Sequence, residues 1–315
     1  MTELERLLRR ELYKKSFYDF VKDFWDCCEP AKFIDGKLIQ IYCEIFQYMC
    51  RDWIGYDEAD IKLPERTEET EIIDVRQGRR NLCLEVPPRH TKSLIFNVFG
   101  ATWLWLSYPI KAVSISHTGG LAAQMNAKRY AIINSEKFRY FFPDIVLTMN
   151  TSTFLRDERG GELYSLNRNA FTGYGCDIAI NDDLTNAETA RKDQAEMENA
   201  WSYYQNTLPS RINNINKYCI FNIQQRLAPN DIAGHIRNDE ALSSTYVFVT
   251  LPAIFEKDTY VVCPISGEVV HYPKGSFLWE ERFGNYESIR KQVGESIFQT
   301  QYLQKPIASD KTVVK

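Results

Sequence analysis

The chain has 315 residues, 44% of them hydrophobic and 25% charged, which is typical of a globular protein with one large or two modest domains. Its formal net charge of −4 excludes a basic nucleic-acid coat, so any contact with DNA must come from a local patch. No apolar run reaches the roughly 18 residues of a membrane span, and the charged amphipathic start is not a signal peptide. The eight cysteines include no Cys-x-x-Cys pair, which favours buried free thiols in a reducing cytosol.

Apolar residues recur at helical spacing near the start of the chain. They predict a helix over 3–28, broken near Ser16, which we expect to pack across a core through residues that include Leu4, Leu8 and Leu12. The next predicted elements are a helix over 37–53 and a polar surface loop over 54–80.

A strand, a tight loop and a helix start follow one another between residues 81 and 99. The apolar run ends at Val86 before two prolines, and Lys92-Ser93 open a new apolar segment, which predicts a helix over 92–107. Backbone amides at a helix N-terminus bind phosphate, a lysine there reaches the β/γ-phosphates, and the next hydroxyl can ligate Mg²⁺. The standard pattern has glycines where Val86 and Thr91 stand, so an ordinary strand-to-helix turn with a solvated lysine is the alternative.

Strands and helices alternate through the rest of the chain. Repeated strand–turn–helix units predict an α/β fold with a mainly parallel central sheet flanked by helices. The predicted elements are a strand at 111–116, a helix at 121–134, a small hairpin within 150–172, a strand at 177–184, a charged helix at 186–206, strands at 217–223 and 245–251, a hairpin within 258–274 and a helix at 284–303.

The strand at 177–184 delivers two carboxylates, Asp182 and Asp183, at its C-terminal end. Doubly wound sheets bind ligands at that end of their strands. One carboxylate can hold the Mg²⁺ shell, and its neighbour can orient or deprotonate an attacking water. The alternative is a polar strand end that leads into a helix cap, since Thr185 follows. The acid pair together with Lys92 and Ser93 favours a nucleotide site.

Four stretches in this order resemble the ATPase domain of the large terminase subunit, the DNA-packaging motor of tailed phages. They are a variant phosphate loop at 87–93, an acidic strand at 178–183, a coupling segment at 225–236, and an exit segment at 275–283 with 298–306.

The resemblance implies a P-loop NTPase of the ASCE type with a small lid-like subdomain. It also implies domain boundaries, which are an N-terminal helical region at 1–60, a P-loop ATPase core at 61–255, a lid and exit region at 256–304, and at 305–315 the start of a linker to an absent nuclease domain.

The resemblance also implies roles for individual residues. Lys92 would contact the β/γ-phosphates, Ser93 and Asp182 would hold Mg²⁺, and Asp183 would activate water, where many relatives use Glu. Gln40 matches a glutamine that reads adenine, and its alternative is a solvent-facing helix residue. The implied nucleotide-binding positions are Gln40, Arg89, His90, Thr91, Lys92, Ser93, Gln225 and Arg226.

Motors of this kind complete their site with an arginine from the next subunit, because cation is needed near the charge that develops in phosphoryl transfer. Arg156, Arg159 and Arg168 lie before the acidic strand. For each arginine alone a surface charge is the better interpretation, and as a set we favour Arg156 or Arg159.

The function implied is Mg²⁺-dependent ATP hydrolysis that drives double-stranded DNA into a procapsid in the host cytoplasm, with no nuclease activity in this chain. The implied partners are the DNA, a portal protein, a small terminase subunit and further copies of this chain in a ring, with no membrane. Two alternatives stay open, which are another P-loop nucleic-acid motor of the helicase kind and a non-hydrolysing module that binds nucleotide or DNA.

Overall fold

The computed structural model of the protein describes residues 1–56, 59, 61–171, 173–188, 190 and 193–307. None of the helices within these ranges is both long and apolar enough to cross a bilayer. Most of the predicted linker at 305–315 lies outside the described residues.

Eleven strands form two sheets in the described chain. They are β1 (Thr70–Ile73), β2 (Asn81–Glu85), β3 (Lys111–Ser116), β4 (Leu147–Asn150), β5 (Phe154–Asp157), β6 (Glu162–Asn167), β7 (Ile178–Asp182), β8 (Cys219–Gln224), β9 (Tyr246–Thr250), β10 (Asp258–Val262) and β11 (Val269–Tyr272). The large sheet has the order β4-β5-β6-β3-β7-β8-β2-β9, and β1, β10 and β11 form the small one.

In the large sheet, the six strands β6, β3, β7, β8, β2 and β9 run parallel to their neighbours. Strands β4 and β5 extend the β6 edge as an antiparallel hairpin. The predicted α/β class with a mainly parallel sheet is therefore confirmed. Strand β8 lies between β2 and β7, so the C-terminal ends of β2 and β7 are two strand spacings apart, or roughly 10 Å. Both ends lie at the same edge of the sheet.

Helices pack on both faces of the large sheet. The helices of the described chain are α1 (Glu3–Lys15), α2 (Phe17–Phe24), α3 (Lys37–Met49), α4 (Arg51–Ile54), α5 (Ala101–Leu104), α6 (Gly119–Asn134), α7 (Glu136–Phe141), α8 (Gln194–Ser202), α9 (Ile232–Asn238), α10 (Glu240–Ser243), α11 (Glu280–Phe283), α12 (Glu287–Val293) and α13 (Glu295–Ile297). Wider π-helical turns occur at Leu94–Gly100, Tyr203–Thr207 and Phe298–Tyr302, and 3-10 turns at Trp25–Cys27, Arg168–Ala170 and Pro209–Arg211.

Helix α1 packs the other way round from the prediction. The break at Ser16 is present, but Leu4, Leu8 and Leu12 are exposed. Arg6 instead faces the protein and donates to the Tyr140 carbonyl, 3.0 Å away. The expectation that these leucines face the core was wrong, because helical spacing identifies an apolar face without saying what covers it.

The helix that follows β2 packs directly on α3. A Cβ atom at Gly100 would lie 2.6 Å from the Phe46 ring, so only glycine permits this approach. Phe46 also stacks on Phe221 of β8, with ring centroids 4.9 Å apart. This packing fixes the helix, and with it the loop that precedes it, against the sheet.

Three features depart from the predicted elements. Strand β1 lies inside the predicted loop at 54–80 and pairs in parallel with β10, so the small sheet joins distant parts of the chain. Strand β4 is short and mostly exposed, and it adds an edge strand to the predicted hairpin. The predicted helix at 92–107 is present but opens with the π-helical segment Leu94–Gly100.

Candidate functional site

The loop that joins β2 to its helix turns through two non-glycine residues in the left-handed region, Arg89 with φ +63° and Thr91 with φ +58°. The Val86 amide donates to the Gln224 carbonyl at 2.9 Å, which extends the ladder to the start of the loop. The Ile95 amide donates to the Thr91 carbonyl at 3.0 Å as the helix begins. The standard pattern has glycine at position 91, where this chain needs a positive φ.

Four side chains from the two strand ends converge. The Lys92 Nζ lies 2.5 Å from Asp183 Oδ2, and the Ser93 hydroxyl donates to Asp182 Oδ1 at 2.8 Å. Asn97, one turn further along the helix, donates its amide to Asp182 Oδ2 at 3.3 Å. The two sequence segments that predicted a shared site, about 90 residues apart, therefore meet in one place.

Burial sets the electrostatics of this cluster. Lys92 and Asp182 are both about 95% buried. Burial alone would lower the pKa of Lys92, but the carboxylates of Asp183 and Asp182 outweigh it and raise that pKa. Burial raises the pKa of Asp182 to about 6, with Lys92 acting against the shift. The cluster is thus a cation held between two carboxylates, which an incoming polyanion could take over.

Asp183 is fixed through its backbone as well as its side chain. Its φ is +42°, its amide donates to the Ile223 carbonyl at 3.0 Å, and its carbonyl accepts from His117 Nδ1 at 3.2 Å. The Gln225 amide donates to Asp183 Oδ1 at 3.1 Å. The side-chain oxygen of Gln225 is buried and accepts no hydrogen bond from any residue that the structure describes. This oxygen is therefore a buried acceptor that the described residues leave unpaired.

His90 faces away from the acid pair, although it belongs to the predicted phosphate loop. Its ring is fully buried, stacks on Phe283 at 4.6 Å and lies parallel to the Tyr286 ring at 5.9 Å. Nδ1–H donates to the Pro88 carbonyl at 2.9 Å, and the Tyr286 hydroxyl donates to Nε2 at 2.8 Å. Burial lowers the pKa of His90 to about 4, so the ring is neutral and fixed in one tautomer. His90 therefore anchors the loop to the segment around α11.

Arg226 is occupied by protein partners rather than turned to the acid pair. Its Nε lies 2.9 Å from Asp231 Oδ2, and its Nη1 lies 3.4 Å from Glu85 Oε1. Its backbone amide donates to the Gln304 side chain at 2.9 Å. The segment that touches Asp183 through Gln225 is thereby tied to the C-terminal part of the described chain.

Two other predicted binding residues lie apart from the acid pair. Gln40 on α3 donates its amide to Glu44 at 3.0 Å and to Glu268, in the β10–β11 turn, at 3.1 Å. Arg89 is exposed in the predicted phosphate loop. A cavity of about 250 Å³ opens beside Thr91, and its lining includes Ile34 and Trp279.

The two favoured arginines lie at the opposite end of the sheet. Arg156 pairs with Glu162 at 2.5 Å, and Arg159 pairs with Asp157 at 2.6 Å. Glu162 stands opposite Lys111, where β6 and β3 begin, whereas the acid pair lies where β7 ends. Neither arginine therefore reaches the site of its own chain.

Of the three candidate arginines, Arg168 lies at the same end of the sheet as the acid pair. It donates to the Leu184 carbonyl at 2.8 Å and to Glu196 at 2.5 Å. It holds the backbone directly after Asp183.

Sequence reasoning missed Asn97, His117 and Gln304. Asn97 carries a usable signal, because a polar residue four positions after Ser93 falls on the same face of a helix. His117 is the first residue after β3, at the end of the sheet that binds ligands in this fold class. Gln304 follows a helix with no local pattern, and tertiary contact alone brings it to Arg226.

The fold of this chain is similar to that of solved phage proteins. The large terminase of bacteriophage HK97 matches 93% of this chain with a TM-score of 0.51 at 14% sequence identity. The chain shares its fold with a phage large terminase. The match spans 55% of the HK97 structure, so this chain corresponds to about half of that large terminase.

Two further large terminase structures match with lower scores. The ATPase domain of the Thermus phage P74-26 large terminase matches 74% of this chain and 91% of that structure at 11% identity, with a TM-score of 0.46. The large terminase of another thermophilic bacteriophage, in complex with ADP, matches 73% of this chain and 48% of that structure at 6% identity, with a TM-score of 0.37. No protein-family model and no curated protein sequence matches the chain.

Proposed function

We propose that this chain is the Mg²⁺-dependent ATP-hydrolysing domain of a phage DNA-packaging motor. The observation that carries the proposal is the meeting of Lys92 and Ser93 with the acid pair, at 2.5 Å from Asp183 and 2.8 Å from Asp182. These are the groups that a P-loop NTPase uses for phosphate, metal and water, and they lie at the end of a parallel sheet that binds ligands.

The residues at this edge fit a magnesium nucleotide. A serine hydroxyl and a carboxylate are hard oxygen donors of the kind that Mg²⁺ prefers, and nucleotide phosphates supply further oxygens. Ser93 and Asp182 would hold the ion, which would offset charge on the phosphates. Lys92 would exchange its contact with Asp183 for the phosphates. That exchange would release Asp183, which would orient or deprotonate the attacking water.

The nucleobase would occupy the cavity beside Thr91. Its lining offers Trp279, Ile34 and Leu94 for apolar contact, and Arg282 for stacking. Gln40 would bind the base only after giving up its hydrogen bonds to Glu44 and Glu268. A role in base recognition is therefore less well supported for Gln40 than for the residues that line the cavity.

Completion of the site would require a second copy of the chain. Arg156 and Arg159 are too far along the sheet to act on their own acid pair, which is the arrangement expected of a residue supplied in trans. In such a ring, hydrolysis would couple to translocation of double-stranded DNA, with a portal protein and a small terminase subunit as partners on the procapsid in the host cytoplasm. Isolated turnover would be slow.

A phosphate-release assay at high protein concentration with double-stranded DNA tests the proposal. Wild type should hydrolyse ATP, and Asp183→Asn should bind ATP but release phosphate at least about 100-fold more slowly, because the water loses its carboxylate. Asp177→Asn is the matched control at the other end of β7, where Asp177 accepts from the Lys111 amide. It should hydrolyse like wild type.

A non-hydrolysing nucleotide-binding module is the second candidate. This candidate is favoured because both carboxylate oxygens of Asp183 already accept hydrogen bonds, one from Lys92 and one from the Gln225 amide, so neither is free to activate water. Equal, very slow hydrolysis by wild type and Asp183→Asn would establish this candidate instead. Failure of wild type to bind ATP at all would exclude both.

A further inference from the structure

Arg129 on α6 is a fully buried cation that the proposed chemistry does not use. Its guanidinium donates to the Asn97 carbonyl at 2.7 and 2.9 Å, to Asn97 Oδ1 at 2.5 Å and to Ser165 Oγ at 2.8 Å. It also contacts the Tyr164 carbonyl at 3.3 Å and the Ser114 hydroxyl. All of these partners are neutral oxygens, and no carboxylate within the described ranges forms an ion pair with it. Burial lowers the pKa of Arg129 to about 9, so it remains charged at neutral pH.

A buried charge without a counter-ion is costly, so its position calls for a physical reason. Asn97 is the residue it contacts most, and Asn97 also donates to Asp182 Oδ2, while Ser93 of the same helix donates to Asp182 Oδ1. Arg129 is therefore two hydrogen bonds away from the carboxylate proposed to hold the metal.

The chemistry of the two side chains fixes the orientation of the Asn97 amide. A guanidinium can only donate, so Asn97 must turn its oxygen toward Arg129. The amide nitrogen of Asn97 then faces Asp182, as observed at 3.3 Å. Without the arginine, the amide could rotate and present its oxygen to the carboxylate, and two acceptors would repel one another.

The helix around Asn97 is also irregular. Asn97 lies in the middle of the π-helical segment Leu94–Gly100, and its backbone carbonyl accepts two bonds from Arg129. At the end of this segment the Ala101 amide donates to the Val98 carbonyl. Single wide turns of this kind are frequent at functional sites.

We propose that Arg129 and Asn97 are positioning residues of the site, and that they hold Asp182 in the orientation in which it takes part in binding the divalent metal. Ser93 holds one oxygen of Asp182 and Asn97 holds the other, so the carboxylate cannot rotate. The inference rests on the proposed function, because it assigns these residues to the metal shell of the same nucleotide site.

The test measures metal affinity rather than turnover. Mn²⁺ binding to the full chain is followed by electron paramagnetic resonance with a non-hydrolysable ATP analogue present, and analogue binding is measured separately in EDTA. Loss of an outer-shell partner typically weakens metal affinity about 10- to 100-fold. Arg129→Gln and Asn97→Leu should therefore raise the Kd for Mn²⁺ about 10-fold or more, with analogue binding in EDTA unchanged within about 2-fold.

Ser165→Ala is the matched control. It removes one acceptor of Arg129 on the side away from Asn97 and should lower thermal stability with wild-type Mn²⁺ affinity. Asn97→Ala leaves the backbone carbonyl for Arg129 and decides the question if Arg129→Gln does not fold. Wild-type Mn²⁺ affinity in folded Asn97→Leu or Asn97→Ala would overturn the proposal. Equal weakening in Ser165→Ala would do so too, since it would indicate general loosening.

Failure of the proposed function looks different. In that case wild type itself would not bind the analogue, and no variant would be informative about the metal. Normal analogue binding with unaltered metal affinity in the variants would overturn only the positioning role of Arg129 and Asn97, and the proposed function would stand.

Discussion

Left-handed backbone conformations occur in two kinds of place in the described chain, and different residue types adopt them. At exposed turns they belong to glycines such as Gly160 and Gly275, where a Cβ atom would meet nothing within 4 Å. Around the candidate site they belong to side-chain-bearing residues. The non-glycine residues with positive φ in the described ranges are Arg89, Thr91, Asp183 and Gln304.

A positive φ costs glycine little conformational free energy, whereas at other residues tertiary contacts must offset the cost. A non-glycine residue in this region costs on the order of 1–2 kcal/mol. Asp183 keeps its conformation through bonds to Ile223 and His117, and the phosphate loop keeps its own through His90 and Tyr286. Strain that tertiary contacts maintain is typical of functional sites. If this strain serves the candidate site, substitutions at the site end of the sheet should have effects that matched substitutions elsewhere do not have.

The largest expected effect is on hydrolysis in Lys92→Met. Under the proposed function, the substitution would remove the cation from the phosphates and leave the acid pair without its partner, so phosphate release should fall on the order of 10²- to 10³-fold. Lys217→Met is the control at the opposite end of the sheet, where the amine lies over the rings of Trp53 and Tyr108. Its hydrolysis rate should be that of wild type. A similar loss in both variants would mean that the two ends are not functionally distinct.

The parts of the site that local patterns specify were predictable. An apolar run, a short loop and Lys92-Ser93 predicted a strand and a helix start, and the run before Asp182 predicted another strand. Their meeting followed from the rule that parallel strands place their C-terminal ends at one edge. The fold class and the strands of the sheet centre were predictable for the same reason.

The contacts that hold the site were not predictable from local pattern. Arg129 lies on a helix with several other polar residues, so one buried arginine among them looks like a surface charge. The π-helical segment reads as an ordinary apolar helix, and β1 pairs with a strand far along the sequence. Each depends on which distant residues pack together, which spacing does not encode.

A smaller effect is expected in the pH dependence of stability. The pKa of His90 falls from an unfolded value near 6.5 to about 4 in the protein, chiefly through burial. A group whose pKa is lowered by folding contributes stability fully above its unfolded pKa, and that stability is lost as pH falls toward the folded pKa. The free energy of unfolding should therefore drop between pH 6.5 and about 4, by up to about 3 kcal/mol from this residue.

Chemical denaturation across this pH range, compared between variants, isolates the contribution. His90→Phe should retain the ring stacking but flatten the dependence between pH 6.5 and about 4, since it cannot titrate. Tyr260→Phe is the control, because it alters one stacked ring on β10 and leaves every histidine in place. It should keep the wild-type slope. Identical slopes in all three proteins would show that His90 does not contribute to the pH dependence of the free energy of unfolding.

The smallest effect concerns the backbone strain itself. Thr91→Asn should raise the free energy of unfolding by about 0.5–1 kcal/mol, because asparagine tolerates the left-handed region better than a β-branched residue does. Thr91→Val is the matched control, since it keeps the branched Cβ and loses only the hydroxyl bond to the His90 carbonyl at 2.7 Å. It should be no more stable than wild type. If thermal and denaturant unfolding instead find both variants equally destabilised, the hydroxyl contact outweighs the strain. Position 91 would then be held like any hydrogen-bonded turn, and the contrast with Gly160 would disappear.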